Sequence, residues 1–159
     1  MKRYFVGKSK IAGRGILALE DIKKGEFIIA LEGQPIYRNY KSKSEFRHEQ
    51  TWIPVGLHRW IKPKNPFKFL NHSCDPSAGF MTPRRIYAMR DLKKGDEITV
   101  DYSTIEYVTM WDMPCHCKAH NCRKVVRSIQ FLPKQVYKTY LPYIPRFLQN
   151  MYSRSTRDI

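Results

Sequence analysis

Apolar positions along this chain come in short bursts. Gly15 to Ala18, Phe27 to Leu31, Thr51 to Val55, Leu57 to Ile61, Ala78 to Met81, Arg85 to Ala88 and Glu97 to Tyr102 each predict a short strand, set apart by Gly, Pro, Asn and Asp turn residues. One segment repeats: Ala18-Leu19-Glu20-Asp21-Ile22-Lys23-Lys24-Gly25-Glu26-Phe27-Ile28 returns seventy residues later as Ala88-Met89-Arg90-Asp91-Leu92-Lys93-Lys94-Gly95-Asp96-Glu97-Ile98. Lys-Lys-Gly supplies a turn between two strands in each copy, and two copies do not make a solenoid. Helical signals are fewer. Ser42-Lys43-Ser44-Glu45 fits a capping box opening a helix to about Gln50. Pro133 and Pro145 each suit a helix start, with Val136, Tyr140, Leu141 and Phe147, Leu148, Met151 as core positions at helical spacing. Residues 153 to 159 are expected to fray, and the whole reads as mainly β with short helices.

At 159 residues the chain is long enough for one domain with its own core. The longest apolar run, Phe27 to Leu31, is far short of a membrane span, and Met1-Lys2-Arg3-Tyr4 leads into no signal-peptide core, so a soluble intracellular protein is expected. A net charge of +15 would suit an acidic partner such as nucleic acid. Lys and Arg are spread evenly over both halves, however, so a generally basic surface accounts for them equally well.

Candidate chemistry gathers at Phe69-Leu70-Asn71-His72-Ser73-Cys74-Asp75-Pro76, where an amide, an imidazole and a thiol precede Asp-Pro turn chemistry. The other three cysteines form Cys115-x-Cys117-x4-Cys122. Three thiols within eight residues ask for a fourth ligand, and Cys74 can give it from a distant loop to complete a tetrahedral, structural zinc site. His120 or His116 in place of Cys74 is the competing set. Four protein ligands would leave no open position for a substrate.

Asn71-His72-Ser73-Cys74-Asp75-Pro76, Gly95-Asp96-Glu97-Ile98-Thr99-Val100-Asp101-Tyr102, the Cys-x-Cys-x4-Cys tail and Ala12-Gly13-Arg14-Gly15-Ile16-Leu17-Ala18 together resemble the SET-domain protein lysine methyltransferases with a post-SET zinc segment. The resemblance implies several small β-sheets around a knot-like active site, a SET domain over 1–110, a post-SET zinc segment over 111–127 and a C-terminal helical extension over 128–159. It further implies transfer of a methyl group from S-adenosylmethionine to the side-chain amine of a protein lysine. Tyr102 would be catalytic. Gly13, Arg14, Gly15, Lys68, Asn71 and His72 would contact the cofactor, and Cys74, Cys115, Cys117 and Cys122 would hold zinc. The implied partner is a protein presenting a lysine, with an acidic or chromatin-like partner suited to the charge.

Several positions depart from the family's pattern. Ser77 stands where Asn usually follows Asp-Pro, Lys118 where Gly usually follows the second tail cysteine, Lys64 where Gly precedes Asn65, and Lys68 where many members have Arg. Leu31 replaces a channel tyrosine and Val100 a Phe or Tyr. Tyr37, Trp60, Phe80, Tyr107 and Trp111 are candidates to line the lysine channel instead, and Glu32, Asp101, Glu106 and Asp112 are candidates to offset the basic surface at its mouth. The alternative reading is an inactive SET-like, zinc-stapled module that binds an acidic partner or nucleic acid.

Overall fold

A computed structural model describes residues 3–39 and 52–156; the helix expected from Ser42 to Gln50 lies outside them. Strands β1 (Tyr4–Lys8), β2 (Arg14–Ala18), β10 (Glu97–Val100) and β7 (Asn71–His72) form one sheet in the order β1-β2-β10-β7. A second sheet runs β3 (Phe27–Ala30), β9 (Arg85–Ala88), β8 (Ala78–Thr82), and a third β4 (Gly33–Tyr37), β6 (Arg59–Pro63), β5 (Ile53–Gly56). A hairpin of β11 (Asp112–Pro114) and β12 (Val125–Arg127) follows, then helices α1 (Lys134–Tyr140) and α2 (Arg146–Ser155). The architecture is mainly β in several small sheets, as the short apolar bursts predict.

The repeated segment explains how two of these sheets lock together. Within a copy the two strands do not pair with each other; β2 pairs with β10 and β3 with β9, each strand finding its mate in the other copy. The turns then clasp reciprocally. Ile22 and Leu92 exchange backbone hydrogen bonds of 2.9 and 2.8 Å, and the N–H of Gly25 reaches the Ala88 carbonyl while that of Gly95 reaches Ala18. Asp91 accepts from Lys23 Nζ and the Lys24 N–H, and Asp21 accepts from Lys93 Nζ and the Lys94 N–H, all within 3.0 Å. These ion pairs are exposed and worth about 0–1 kcal/mol each. Burial contributes more: Ile22 is wholly buried and Leu92 nearly so, in a core with Ile16, Ile86, Phe80 and Ile98. Gly25 and Gly95 close their turns at φ +83° and +92°, where a side chain would be strained.

Three expectations are corrected. The strand expected to run to Tyr102 stops at Val100, because the Asp101 carboxylate accepts the Ser103 N–H at 2.9 Å and turns residues 102–104 into a single 3₁₀ turn. Ser153 to Ser155 do not fray but complete α2, whose Leu148 and Tyr152 are buried. Leu141 is 40% exposed, since α1 ends at Tyr140 and the chain turns extended there. Tyr140, Ile144, Leu148 and Tyr152 make a separate cluster with Ile129 and Leu132. Among the described residues no helix is long and apolar enough to cross a membrane.

Candidate functional site

Strands β7 and β10 run parallel, Thr99 beside Asn71 and Val100 beside His72, so the 69–76 segment and the residues after Val100 emerge side by side. That placement brings Tyr102 against Leu70. The Tyr102 hydroxyl donates to the Leu70 carbonyl at 2.6 Å. With its one proton spent there, the phenol oxygen has only lone pairs to offer a guest. Burial pushes its pKa up to about 12, so it stays neutral near pH 7.

A cavity of about 140 Å³ opens beside this phenol, walled by Trp52, Phe67, Leu70, Tyr102, Trp111 and Glu106, with Lys68 at its edge. Of the aromatic residues singled out for a channel, Trp111 lines it. Trp60 and Phe80 are wholly buried elsewhere and Tyr37 is exposed; Tyr107 packs on Trp60 at 5.5 Å. Leu31 and Val100 belong to the core. Of the four acidic candidates, Glu106 alone lines the cavity; Asp101 is buried against Arg123, and Glu32 and Asp112 are exposed. The sequence does not single out Trp52 and Phe67 for a wall, since an aromatic residue leading into a strand or following a Pro turn looks the same whether it lines a cavity or fills a core.

On the other side of β7, the Asn71 amide nitrogen lies within hydrogen-bond distance of Ser9 Oγ, the carbonyls of Ala12 and Arg14, and Glu97 Oε1 at 2.7 Å. Its side chain therefore fastens the glycine-rich loop, leaving the backbone of Asn71 for any cofactor contact. Gly13 sits at φ +51° with open space where a Cβ would be, a place a ligand can approach closely. Gly15 is different: it is buried, and a Cβ there would collide with the Glu97 carboxylate, so its bareness serves packing. Arg14 and Lys68 both flank the Phe69 ring, 4.6 and 5.0 Å from its centre. An exposed loop with a free backbone approach and two flanking cations fits a charged cofactor.

All four cysteines gather here, three of them in a tight group with His72. One ligand atom each from His72, Cys74, Cys115 and Cys117 lies within 4.8 Å of all the others, and all four residues are buried. His116 and His120 are exposed and outside this group, and half-buried Cys122 borders it, its thiol 3.6 Å from the Cys115 carbonyl. Burial raises the Cys74 and Cys115 thiols. Burial also opposes ionising Cys117, but the backbone N–H groups of Cys74 and Ala119 help bring it down to about 7. Clustered buried thiols of this kind suit a soft cation, which compensates the thiolate charge. The role of His72 follows from its other nitrogen. The Tyr102 N–H can only donate, and it meets Nδ1 at 3.1 Å, so in the neutral ring the proton sits on Nε2, 3.3 Å from the Cys74 sulfur. Burial, opposed by Asp101, lowers its pKa to about 4 and keeps the ring neutral. In this tautomer His72 donates to Cys74.

The cysteine tail is clipped down by charge. Arg123 meets Asp101 through two bonds of 2.6 and 2.7 Å, and its second nitrogen also reaches Ser103 Oγ at 3.2 Å. Burial works against the guanidinium's charge, but the bonds to Asp101 outweigh it and raise its pKa. The Tyr140 hydroxyl donates to the Cys74 carbonyl at 2.8 Å, so the C-terminal helices, which the sequence motifs leave out, buttress the same bend. Lys118 adopts φ +63°, which explains the usual glycine at its position. Lys118→Gly should raise stability by about 1 kcal/mol by removing left-handed strain; thermal unfolding of the two proteins checks this, and an unchanged or lower midpoint would contradict it.

Comparisons with known proteins agree with this geometry. The SET domain family model matches residues 13–103. The histone-lysine N-methyltransferase ASHH3 of Arabidopsis thaliana is 30% identical over 142 residues, covering 78% of this chain and 38% of that protein. Histone-lysine N-methyltransferase 2D of Homo sapiens is 28% identical over 135 residues, covering 76% of this chain and 2% of that protein. This chain thus spans well under half the length of these relatives. The methyltransferase domain of human histone-lysine N-methyltransferase SETMAR shares the fold with a TM-score of 0.60 at 24% identity, covering 80% of this chain and 59% of that one. With more than half its length matched and the parallel β7–β10 pair delivering Tyr102 to a cavity, the chain belongs to the SET-domain family.

Proposed function

We propose that this chain is a protein-lysine N-methyltransferase that moves a methyl group from S-adenosylmethionine to the side-chain amine of a protein lysine. The observation that carries it is the Tyr102 phenol, bonded to the Leu70 carbonyl and turned lone-pair-first toward a cavity of about 140 Å³. Such an oxygen orients the N–H bonds of an incoming amine, and alignment supplies much of the rate when the chemistry is a direct displacement. S-adenosylmethionine would supply an activated methyl on a sulfonium. Gly13 and Arg14 would hold it together with the backbone of Asn71 and His72, and Lys68, which shares the Phe69 ring with Arg14 and borders the Tyr102 cavity, would lie between donor and acceptor sites. The relatives are named for histone lysines, and a basic surface of net charge +15 suits a nucleosome, whose DNA is acidic. Incubation with heavy-methyl S-adenosylmethionine and either free histones or nucleosomes, read by mass spectrometry, should place heavy methyl on lysine. No labelled lysine in either sample would reject the reading.

Zinc held by Cys74, Cys115, Cys117 and Cys122, with His72 donating to Cys74, is the arrangement the His72 tautomer supports. The ion would have a structural part, fixing the tail over the 71–76 bend. Elemental analysis should find one zinc per chain. In chelator competition Cys122→Ser should release the metal, whereas His72→Asn should weaken it by only about 10–100-fold. The reverse ranking would make His72 the ligand.

A further inference from the structure

Glu106 is the carboxyl in the wall of the Tyr102 cavity, and it is 5% exposed. Its Oε1 accepts the backbone N–H groups of Tyr107 at 2.7 Å and Val108 at 2.8 Å. Among the described residues no hydrogen bond reaches Oε2, and no cation lies in a salt bridge with this carboxylate. Among the described residues the titratable groups around it are Tyr102 and Lys68, which share the cavity lining, and Tyr107 beside it. Buried and with no cation paired to it among the described residues, this carboxyl holds its proton until a positive guest arrives, so the cavity's chemistry favours a cationic group seated against it.

We propose that Glu106 receives the substrate's lysine ammonium in this cavity and accepts the proton that must leave before methyl transfer, an assignment that rests on the lysine-methyltransferase reading above. One N–H bond of the ammonium breaks and one O–H bond forms at Oε2. The freed nitrogen lone pair forms the new N–C bond as the sulfonium's C–S bond breaks, and the sulfur leaves as a thioether. The proton on Oε2 returns to water when the methylated product departs.

The environment suits this step. An ordinary carboxylate is about six pKa units too weak a base for a lysine ammonium. Burial, against the two backbone N–H groups, raises the Glu106 carboxyl to about 8 in the empty cavity and narrows that gap. The aromatic residues of the wall favour a cation before the proton moves. Lys68 is exposed at the edge, where water screens it. Before a substrate enters, the acid is mostly protonated at pH 7, so seating an ammonium against it expels one proton to solvent.

Glu106→Gln tests this directly, because the amide oxygen can keep both backbone hydrogen bonds while losing the base. On an unmethylated lysine peptide, kcat/KM should fall by about 10²–10⁴-fold near pH 8. The wild-type rate should level off above about pH 8, whereas the variant's should keep climbing toward the lysine's own ionisation near pH 10. Calorimetry of peptide binding at pH 7, with the thioether product present and in buffers of different ionisation enthalpy, should count about one proton released by the wild type. No proton released by the wild type overturns the assignment whether or not the variant folds, and so do matching pH profiles while the wild type methylates. A wild type that methylates no lysine peptide removes instead the reading on which it rests.

Discussion

Arg123→Ala should destabilise the folded chain by about 3–5 kcal/mol, the cost of leaving a buried carboxylate without its partner. Asp101 is the exposed-looking acid of an Asp-Tyr pair in the sequence, yet it is 1% exposed, and both its oxygens are held by one guanidinium. Surface ion pairs are worth a fraction of that figure, and it is the burial of Asp101 that decides the difference. Arg123→Lys should recover only part of the loss, since an ammonium cannot bridge both oxygens and still reach Ser103. Denaturant unfolding of the three proteins measures this; a loss under about 1 kcal/mol for the alanine variant would mean that water enters and solvates Asp101. The effect should extend to function, because Asp101 adjoins Tyr102 and caps the turn that carries it.

Tyr102→Phe should lower kcat by about 10²–10³-fold while leaving the fold within about 1–2 kcal/mol of wild type. The small change in stability comes from one lost hydrogen bond at the Leu70 carbonyl. The large change in rate comes from the missing oxygen that would orient the amine. Because burial raises the phenol's pKa to about 12 and keeps it neutral over the working pH range, the loss should be the same across that range, and this separates Tyr102 from Glu106, whose variant should change the pH profile. Single-turnover kinetics with saturating donor would show it, and retention of full kcat by the phenylalanine variant would remove this tyrosine from the chemistry.

Much of the site was legible because its residues lie close together in sequence: Asn71 to Cys74 and Cys115 to Cys122 announce themselves as local runs. What the sequence could not show was which distant groups satisfy them. The Asn71 amide reads as a ligand contact but is occupied by Ser9, Ala12, Arg14 and Glu97, none of which shares a local pattern with it. Arg123 looks like one more positive charge in a basic chain and is the counterion of Asp101. Tyr140 looks like helix core and also holds the Cys74 carbonyl. The repeated turns were readable as strand, turn, strand; that each strand would pair across copies depends on contacts between residues as far apart as Leu17 and Glu97 or Phe27 and Tyr87, which leave no trace in a short window.

Those interlocked turns also govern how the chain is born. Ile22 and its flanking strands leave the ribosome before Leu92 exists, and at synthesis rates of about 5–20 residues per second the wait is roughly 4–14 s. Throughout it, β2 and β3 present bare edges that could recruit other nascent chains. Lys23 and Lys24 stand between those edges, so the same two charges that later grip Asp91 first act as guards against clumping.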